Sequence, residues 1–176
     1  MSRGGVYHHA LSAALVSEHI AKFTGKSEPD IAYTGGLLHD IGKVLLDQYV
    51  AEMAPHFYRE VYTDGVPLAE AEKSILGITH TEAGERLARL WLFPDALVDV
   101  VAYHAQPELA QTDPVLTYVV YLSNVLLSRF DACIDLERVD AKPLRLCLQQ
   151  LGLEADSFQH LISSIPWKTL NFAEYF

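Results

Sequence analysis

Apolar residues recur along this chain at spacings of three and four, the period of α-helices that bury one face. No hairpin turn of the Asn-Gly type separates two alternating apolar runs, so β-structure is not indicated. We therefore predict an all-α fold, a single compact domain of about eight helices over residues 1–176.

Capping residues, glycines and prolines set the predicted helix boundaries. Ser27 is expected to cap the second helix, which runs down to Asp40, and Thr79 with Glu82 has the form of a capping box. Gly35 and Gly36 are poor helix formers, and we expect them to allow close packing against the first helix. The other predicted helices span about 6–23, 47–62, 67–76, 79–91, 94–106, 113–130, 142–151 and 157–165.

Four histidines fall on inward positions of four different predicted helices: His9, His39, His80 and His104. Asp40 follows His39 inside an apolar segment, and burying both side chains costs free energy unless a partner satisfies them. A hydrogen-bonded structural pair is one solution. A divalent metal ion is another, because imidazole and carboxylate are both good metal ligands. Four such histidines in one small domain favour one shared polar centre over four histidines that are each buried separately with a hydrogen-bond partner of their own.

Composition and charge narrow the possible partners. Half of the residues are hydrophobic and a fifth are charged, which is typical of a globular protein. The net charge of −10 counts against nucleic acid as a partner. No apolar run is long enough to span a membrane, and the N-terminal residues lack the apolar core of a signal peptide, so a cytoplasmic location is expected. Cys133 and Cys147 have no metal-type spacing.

Several strings resemble a known family: Gly36–Lys43 (GLLHDIGK), Thr79–Gly84 (THTEAG) and Ala102–His104 (AYH). Together with His9 they are similar to the HD superfamily of metal-dependent phosphohydrolases, and in particular to its HDOD subgroup, a signalling output module of bacteria. The resemblance extends from about residue 6 to residue 130 and implies an HD-type helical domain around a His/Asp centre. HDOD modules usually carry a further helical half upstream, so the chain is either a compact relative or the C-terminal part of a longer signalling protein.

The resemblance implies a site that binds one or two divalent ions, with iron, manganese, zinc and nickel as the candidates. Asp40 would bridge two ions, and Lys43 would meet phosphate oxygens as a point charge. The three or four histidines argue against magnesium. The implied metal ligands are His9, His39, Asp40, His80, His104 and Asn124, and the implied catalytic residues are Asp40 and Lys43.

Two departures from the family pattern bear on function. The superfamily has an aspartate where this chain has Asn124, and an amide brings no charge and binds a cation more weakly than a carboxylate. The glycine-tyrosine-proline motif of the cyclic di-GMP phosphodiesterases is absent after His104.

Three functions remain open at this stage. The first, which the HDOD resemblance and Asn124 favour, is a metal-binding regulatory domain that signals through a protein partner. The second is an active phosphohydrolase acting on a nucleotide or another small phosphoester. The third is a helical interaction domain whose histidines merely pack. The oligomeric state does not follow from the sequence.

Overall fold

A computed structural model of the protein describes residues 5–129 and 141–170, and within these ranges the chain is helical and has no β-strand. The all-α prediction is therefore confirmed. Nine of the described helices have nine or more residues. In chain order the helices are α1 (Gly5–Thr24), α2 (Pro29–Leu38), α3 (Ile41–Glu52), α4 (Ala54–Phe57), α5 (Leu68–Leu76), α6 (His80–Leu90), α7 (Asp95–Tyr103), α8 (Pro114–Arg129), α9 (Ala141–Leu151), α10 (Ala155–Ser164) and α11 (Trp167–Leu170).

Several predicted helix ends are close to the observed ones, and one predicted cap is wrong. The capping box of α6 is present, since the Thr79 side chain accepts from the backbone N–H of Glu82 while the Glu82 carboxylate accepts from the backbone N–H of Thr79. Ser27 does not cap α2. The residue before that helix is Glu28, whose side chain makes no capping bond, and Pro29 begins the first turn with its preset φ angle.

The predicted third helix over 47–62 is also wrong. The chain resumes helical geometry directly after Asp40, so α3 begins at Ile41 and ends at Glu52. Pro55 lacks an N–H and its ring crowds the carbonyl of the preceding turn, which explains why the helix stops there. The short helix α4 and a π-helical segment, Tyr58–Thr63, then carry the chain to the turn at Gly65.

Helix α8 forms the centre of the main core and contacts α1, α2, α7 and α9. Its apolar side chains, including Leu116, Leu122 and Leu127, are completely buried. A smaller apolar cluster under α5 contains Phe57, Leu68 and Ala71. None of the described helices is both long and apolar enough to cross a membrane.

Glycines allow two close helix contacts that position the polar centre. A Cβ on Gly36 would lie 2.5 Å from the carbonyl oxygen of Ala13, so the expected close approach of α2 to α1 is present. A Cβ on Gly42 would lie 1.8 Å from the carbonyl oxygen of His80 and 2.8 Å from the backbone nitrogen of Gly84. Only a residue without a Cβ lets the start of α3 lie against the start of α6 at this distance.

The apolar stripe predicted for α6 extends too far. Helical periodicity over the predicted helix 79–91 places Leu90 and Trp91 on the inward face with His80, Ala83 and Leu87, but in the structure Leu90 and Trp91 are 75% and 56% exposed. The helix ends at Leu90, and Leu92, two residues later, has a positive φ of 56° that a helical backbone does not adopt. Helical periodicity therefore does not apply to Trp91.

Candidate metal centre

Five side chains from four parts of the fold meet in one buried cluster. His9 projects from α1, His39 and Asp40 form the turn between α2 and α3, His80 is the first residue of α6, and His104 follows the last residue of α7. Each of these residues is at most 6% exposed. The structure thus brings together every histidine that the sequence analysis placed in the shared centre.

The first triad consists of His9, His39 and Asp40, whose potential ligand atoms all lie within 4.8 Å of one another. The Nε2 atoms of His9 and His39 are 3.3 Å apart. They lie 3.5 Å and 3.2 Å, respectively, from Oδ2 of Asp40. Two imidazole nitrogens and a carboxylate oxygen therefore converge on one point.

The second triad uses the other oxygen of the same carboxylate. Nε2 of His104 lies 3.4 Å from Oδ1 of Asp40, and Nε2 of His80 lies 4.0 Å from that oxygen. These three potential ligand atoms also lie within 4.8 Å of one another. Asp40 is therefore shared by both triads, with one carboxylate oxygen facing each pair of histidines.

Hydrogen bonds on the outer side of three rings fix which nitrogen faces the centre. Nδ1 of His39 donates to the carbonyl oxygen of Gly36 at 2.6 Å, and Nδ1 of His104 donates to that of Val101 at 3.2 Å. His80 makes the corresponding bond to a carboxylate, that of Glu72, at 2.7 Å. A neutral imidazole that donates through Nδ1 presents an Nε2 lone pair, which is the form that binds a metal.

Sequence reasoning did not find Glu72. Its side chain is buried, with the residue 2% exposed, and its Oε2 accepts from both the backbone N–H and Nδ1 of His80. A signal was available, because Leu68, Ala71 and Glu72 occupy one face of α5 at helical spacing. A carboxylate on an otherwise apolar helix face requires a buried partner.

The charges within the cluster shift the pKa values of its members. Burial alone would raise the pKa of Asp40, but nearby His39 and Lys43 hold it well below its usual range. Burial would lower the pKa of His39, yet the adjacent Asp40 carboxylate raises it. Burial lowers the pKa of His104. Asp40 acts to raise it, but the charges of His39 and His80 add to the lowering. These pKa directions favour an ionised Asp40 and a neutral His104, which are the forms that bind a metal, whereas the direction for His39 favours its charged form, whose proton an ion would have to displace.

Lys43 lies at the first triad and faces Asp40. Its Nζ is 3.0 Å from Oδ2, the oxygen that also faces His9 and His39, and its side chain is only 10% exposed. The sequence analysis gave this ammonium a role in binding phosphate oxygens, and that role remains a prediction. In the structure the ammonium compensates the buried carboxylate.

Asn124 occupies a buried position on α8 and is 9% exposed. The preceding residue, Ser123, donates a hydrogen bond to the carbonyl oxygen of Ala13, one helical turn after His9 on α1. Oδ1 of Asn124 accepts no hydrogen bond from any described residue. Its predicted role as a ligand remains a prediction.

The donor set suits a divalent metal ion. Oδ1 of Asp40, Nε2 of His104 and Oδ1 of Asn124 are buried and make no well-aligned hydrogen bond within the described parts of the chain. Buried polar atoms of this kind require a partner such as an ion or ordered water. Nitrogen and oxygen donors of this kind are compatible with divalent metal binding.

Comparison with known proteins assigns the family. The profile of the HDOD domain matches residues 1–107, and the chain belongs to this family of the HD superfamily. The chain is also 31% identical over 105 residues to the cyclic-di-AMP phosphodiesterase PgpH of Bacillus subtilis (strain 168), a match that covers 57% of the chain and 13% of that protein. The resemblance drawn from the His39–Lys43 segment is thereby confirmed.

Solved structures show the same fold at low sequence identity. An HDOD domain protein from Geobacter sulfurreducens superposes with a TM-score of 0.66 at 21% identity, covering 98% of this chain and 53% of that one. A protein from Marinobacter aquaeolei VT8, assigned provisionally to signal transduction, gives a TM-score of 0.73 at 21% identity, covering 96% of this chain and 38% of that one. The chain thus spans about a third to a half of the length of these structural relatives, and a much smaller part of PgpH.

Proposed function

We propose that this chain is a regulatory HDOD domain that binds one or two divalent metal ions and acts through a signalling protein partner. The observation that carries the proposal is the pair of triads that share Asp40, with Oδ2 in one triad and Oδ1 in the other. The proposed ligands are His9, His39, Asp40, His80 and His104, with Asn124 as a further oxygen donor. The ion would be iron, manganese, zinc or nickel.

Burial of the centre supports regulation over catalysis. The side chains of Asp40 and His39 are 3% and 0% exposed, and that of Lys43 is 10% exposed. A phosphoester would have to displace these packed side chains before it reached a bound ion. A metal held in this way would instead stabilise the arrangement of α1, α2, α3, α6 and α7 around it, because ions that bind only the folded state add their binding free energy to its stability.

The charge of the centre supports the same choice. Asn124 supplies no negative charge where the superfamily has a carboxylate, and Lys43 already compensates Asp40. A second ion and a bound hydroxide would therefore meet fewer negative ligands than in a site with that carboxylate.

A second candidate function is hydrolysis of a phosphoester, such as a nucleotide. The bridging position of Asp40 favours it, since two bound ions supply an activated water and a clamp for the phosphate in two-metal hydrolysis. The similarity to PgpH, a phosphodiesterase, supports the same class of reaction. Under this candidate Asp40 would hold both ions, and Lys43 would leave Asp40 to contact the phosphate.

Activity of the metal-loaded protein separates the two functions. Purified protein is loaded with manganese, iron or zinc and incubated with a panel of phosphomonoesters, cyclic dinucleotides and a generic phosphodiester, beside an Asp40→Ala control. We expect the loaded protein to release no more product than the control. Turnover that depends on the metal and disappears in Asp40→Ala would reject the regulatory proposal in favour of the hydrolase.

A further inference from the structure

The carboxylate of Glu72 is the outer partner of His80 and differs from the partners of the other rings. His39 and His104 donate through Nδ1 to backbone carbonyl oxygens, whereas His80 donates to an ionisable side chain. One oxygen, Oε2 of Glu72, accepts both the backbone N–H and the ring N–H of His80, at 2.8 Å and 2.7 Å. A single atom thus holds His80 by its backbone and by its ring.

We propose that Glu72 is a positioning residue that holds His80 in the orientation and tautomer needed to bind a metal ion at the second triad. The inference rests on the proposed metal centre and concerns only how this chain prepares one of its ligands. Glu72 does not face the centre itself. It acts through His80, whose Nε2 is directed toward Oδ1 of Asp40 at 4.0 Å.

The location of His80 explains why it needs such support. His80 is the first residue of α6, so its backbone N–H lies at the start of the helix and needs an acceptor from outside the helix. Glu72 supplies that acceptor from α5 and locks the ring with the same oxygen. Outer partners of metal-bound histidines commonly account for 10- to 100-fold in metal affinity.

Two substitutions separate orientation from charge. Because one oxygen accepts both hydrogen bonds, the amide oxygen of Glu72→Gln can replace it and keep both bonds while the negative charge is lost. Glu72→Ala removes the bonds together with the charge. Glu70→Gln is the matched control, since Glu70 is an exposed glutamate on the same helix.

Zinc titration of the metal-free full chain by calorimetry provides the first readout. We expect Glu72→Ala to weaken zinc binding by about 10- to 100-fold. The zinc affinity of Glu72→Gln should be closer to that of the wild type than to that of Glu72→Ala, and the affinity of Glu70→Gln should equal that of the wild type. In a His80→Ala background, Glu72→Ala should cause no further loss, because its effect passes through that ring. Additive losses, or equal losses for Glu72→Gln and Glu72→Ala, would overturn the positioning role.

Nitrogen NMR of the zinc-loaded wild type gives a readout that does not depend on whether the variants fold. We expect the Nδ1 of His80 to carry a proton and its Nε2 to bind the metal. A proton on Nε2 would overturn the inference. If the wild type binds no zinc, the metal centre itself is rejected. If the wild type binds zinc but the Glu72 variants bind it equally well, only the positioning role of Glu72 is rejected.

Discussion

The ammonium of Lys43 lies 3.0 Å from Oδ2 of Asp40, at the position where a metal ion in the first triad would find its carboxylate ligand. A lysine and a divalent ion placed beside one carboxylate oxygen repel each other, and the repulsion is strong because the site is buried. The metal-free protein thus contains a cation of its own that stabilises Asp40 and opposes metal binding at the first triad.

Replacing this lysine should separate stability from metal affinity. We expect Lys43→Met to lower the free energy of unfolding of the metal-free protein by roughly 3 kcal/mol, because it leaves Asp40 without its closest compensating charge. The same change should tighten divalent metal binding by about tenfold or more, since the competing charge is gone. Urea denaturation in EDTA and metal titration measure the two effects, with exposed Lys26→Met as the control. Weaker metal binding by Lys43→Met would contradict this interpretation.

Restoring a carboxylate at position 124 should strengthen the centre. Oδ1 of Asn124 is buried and accepts no hydrogen bond from the described residues, so a charged oxygen there would have no compensation in the metal-free protein. We expect Asn124→Asp to be less stable than the wild type in EDTA, and to bind manganese or zinc more tightly. The unfolding midpoint in EDTA measures the stability of the metal-free protein, and the rise of that midpoint when metal is added measures metal binding. A midpoint that metal raises no further in Asn124→Asp than in the wild type would argue against Asn124 as a donor.

The same variant also bears on catalysis. If the protein is a weakened hydrolase, Asn124→Asp should raise or at least preserve hydrolysis of a generic phosphodiester, because the added charge helps to retain metal. We expect improved metal loading without turnover, as the regulatory proposal requires. Turnover that appears only in Asn124→Asp would show that the fold supports the reaction once this charge is present.

The contact between α3 and α6 should tolerate no added methyl group at Gly42. A Cβ there would lie 1.8 Å from a backbone oxygen of His80, and the backbone cannot move aside without moving the ring. We expect Gly42→Ala to cost at least about 3 kcal/mol of unfolding free energy and to abolish metal binding at the second triad. Gly35→Ala is the control, since the atoms nearest to its Cβ would be side-chain atoms of Val120 and Val100, at 3.4 Å or more. Its stability should stay within about 1 kcal/mol of the wild type.

Much of the fold and of the site could be predicted from local sequence patterns. Helical periodicity indicated the all-α fold, and the capping box at Thr79 correctly located the start of α6. Inward placement on four helices was enough to select His9, His39, His80 and His104, because each histidine interrupts an apolar face. That they share the carboxylate of Asp40 was implied only by the family resemblance, since helix periodicity says nothing about which buried faces meet.

The errors have physical reasons. Glu72 was missed because its partner, the His80 ring, is brought to it by tertiary packing and not by sequence spacing. Gly42 was noted only as part of a motif, whereas it permits the contact on which the second triad depends. Trp91 was assigned to the core because periodicity identifies apolar residues but does not show whether another helix covers them. In the structure α6 ends at Leu90, so Trp91 is outside the helix and exposed.

The central claim is that the buried cluster of histidines around Asp40 holds metal, and elemental analysis of the purified protein tests it most directly. The matched variants are His39→Ala, which removes a proposed ligand that is completely buried, and His56→Ala, which removes an exposed histidine outside both triads. We predict one or two equivalents of a transition metal in the wild type and in His56→Ala, and a loss of metal from His39→Ala with the helical circular dichroism signal retained. The claim would be contradicted if the wild type contained no metal even after the folded protein had been incubated with iron, manganese, zinc and nickel. The protein would then be a helical interaction domain whose histidines merely pack.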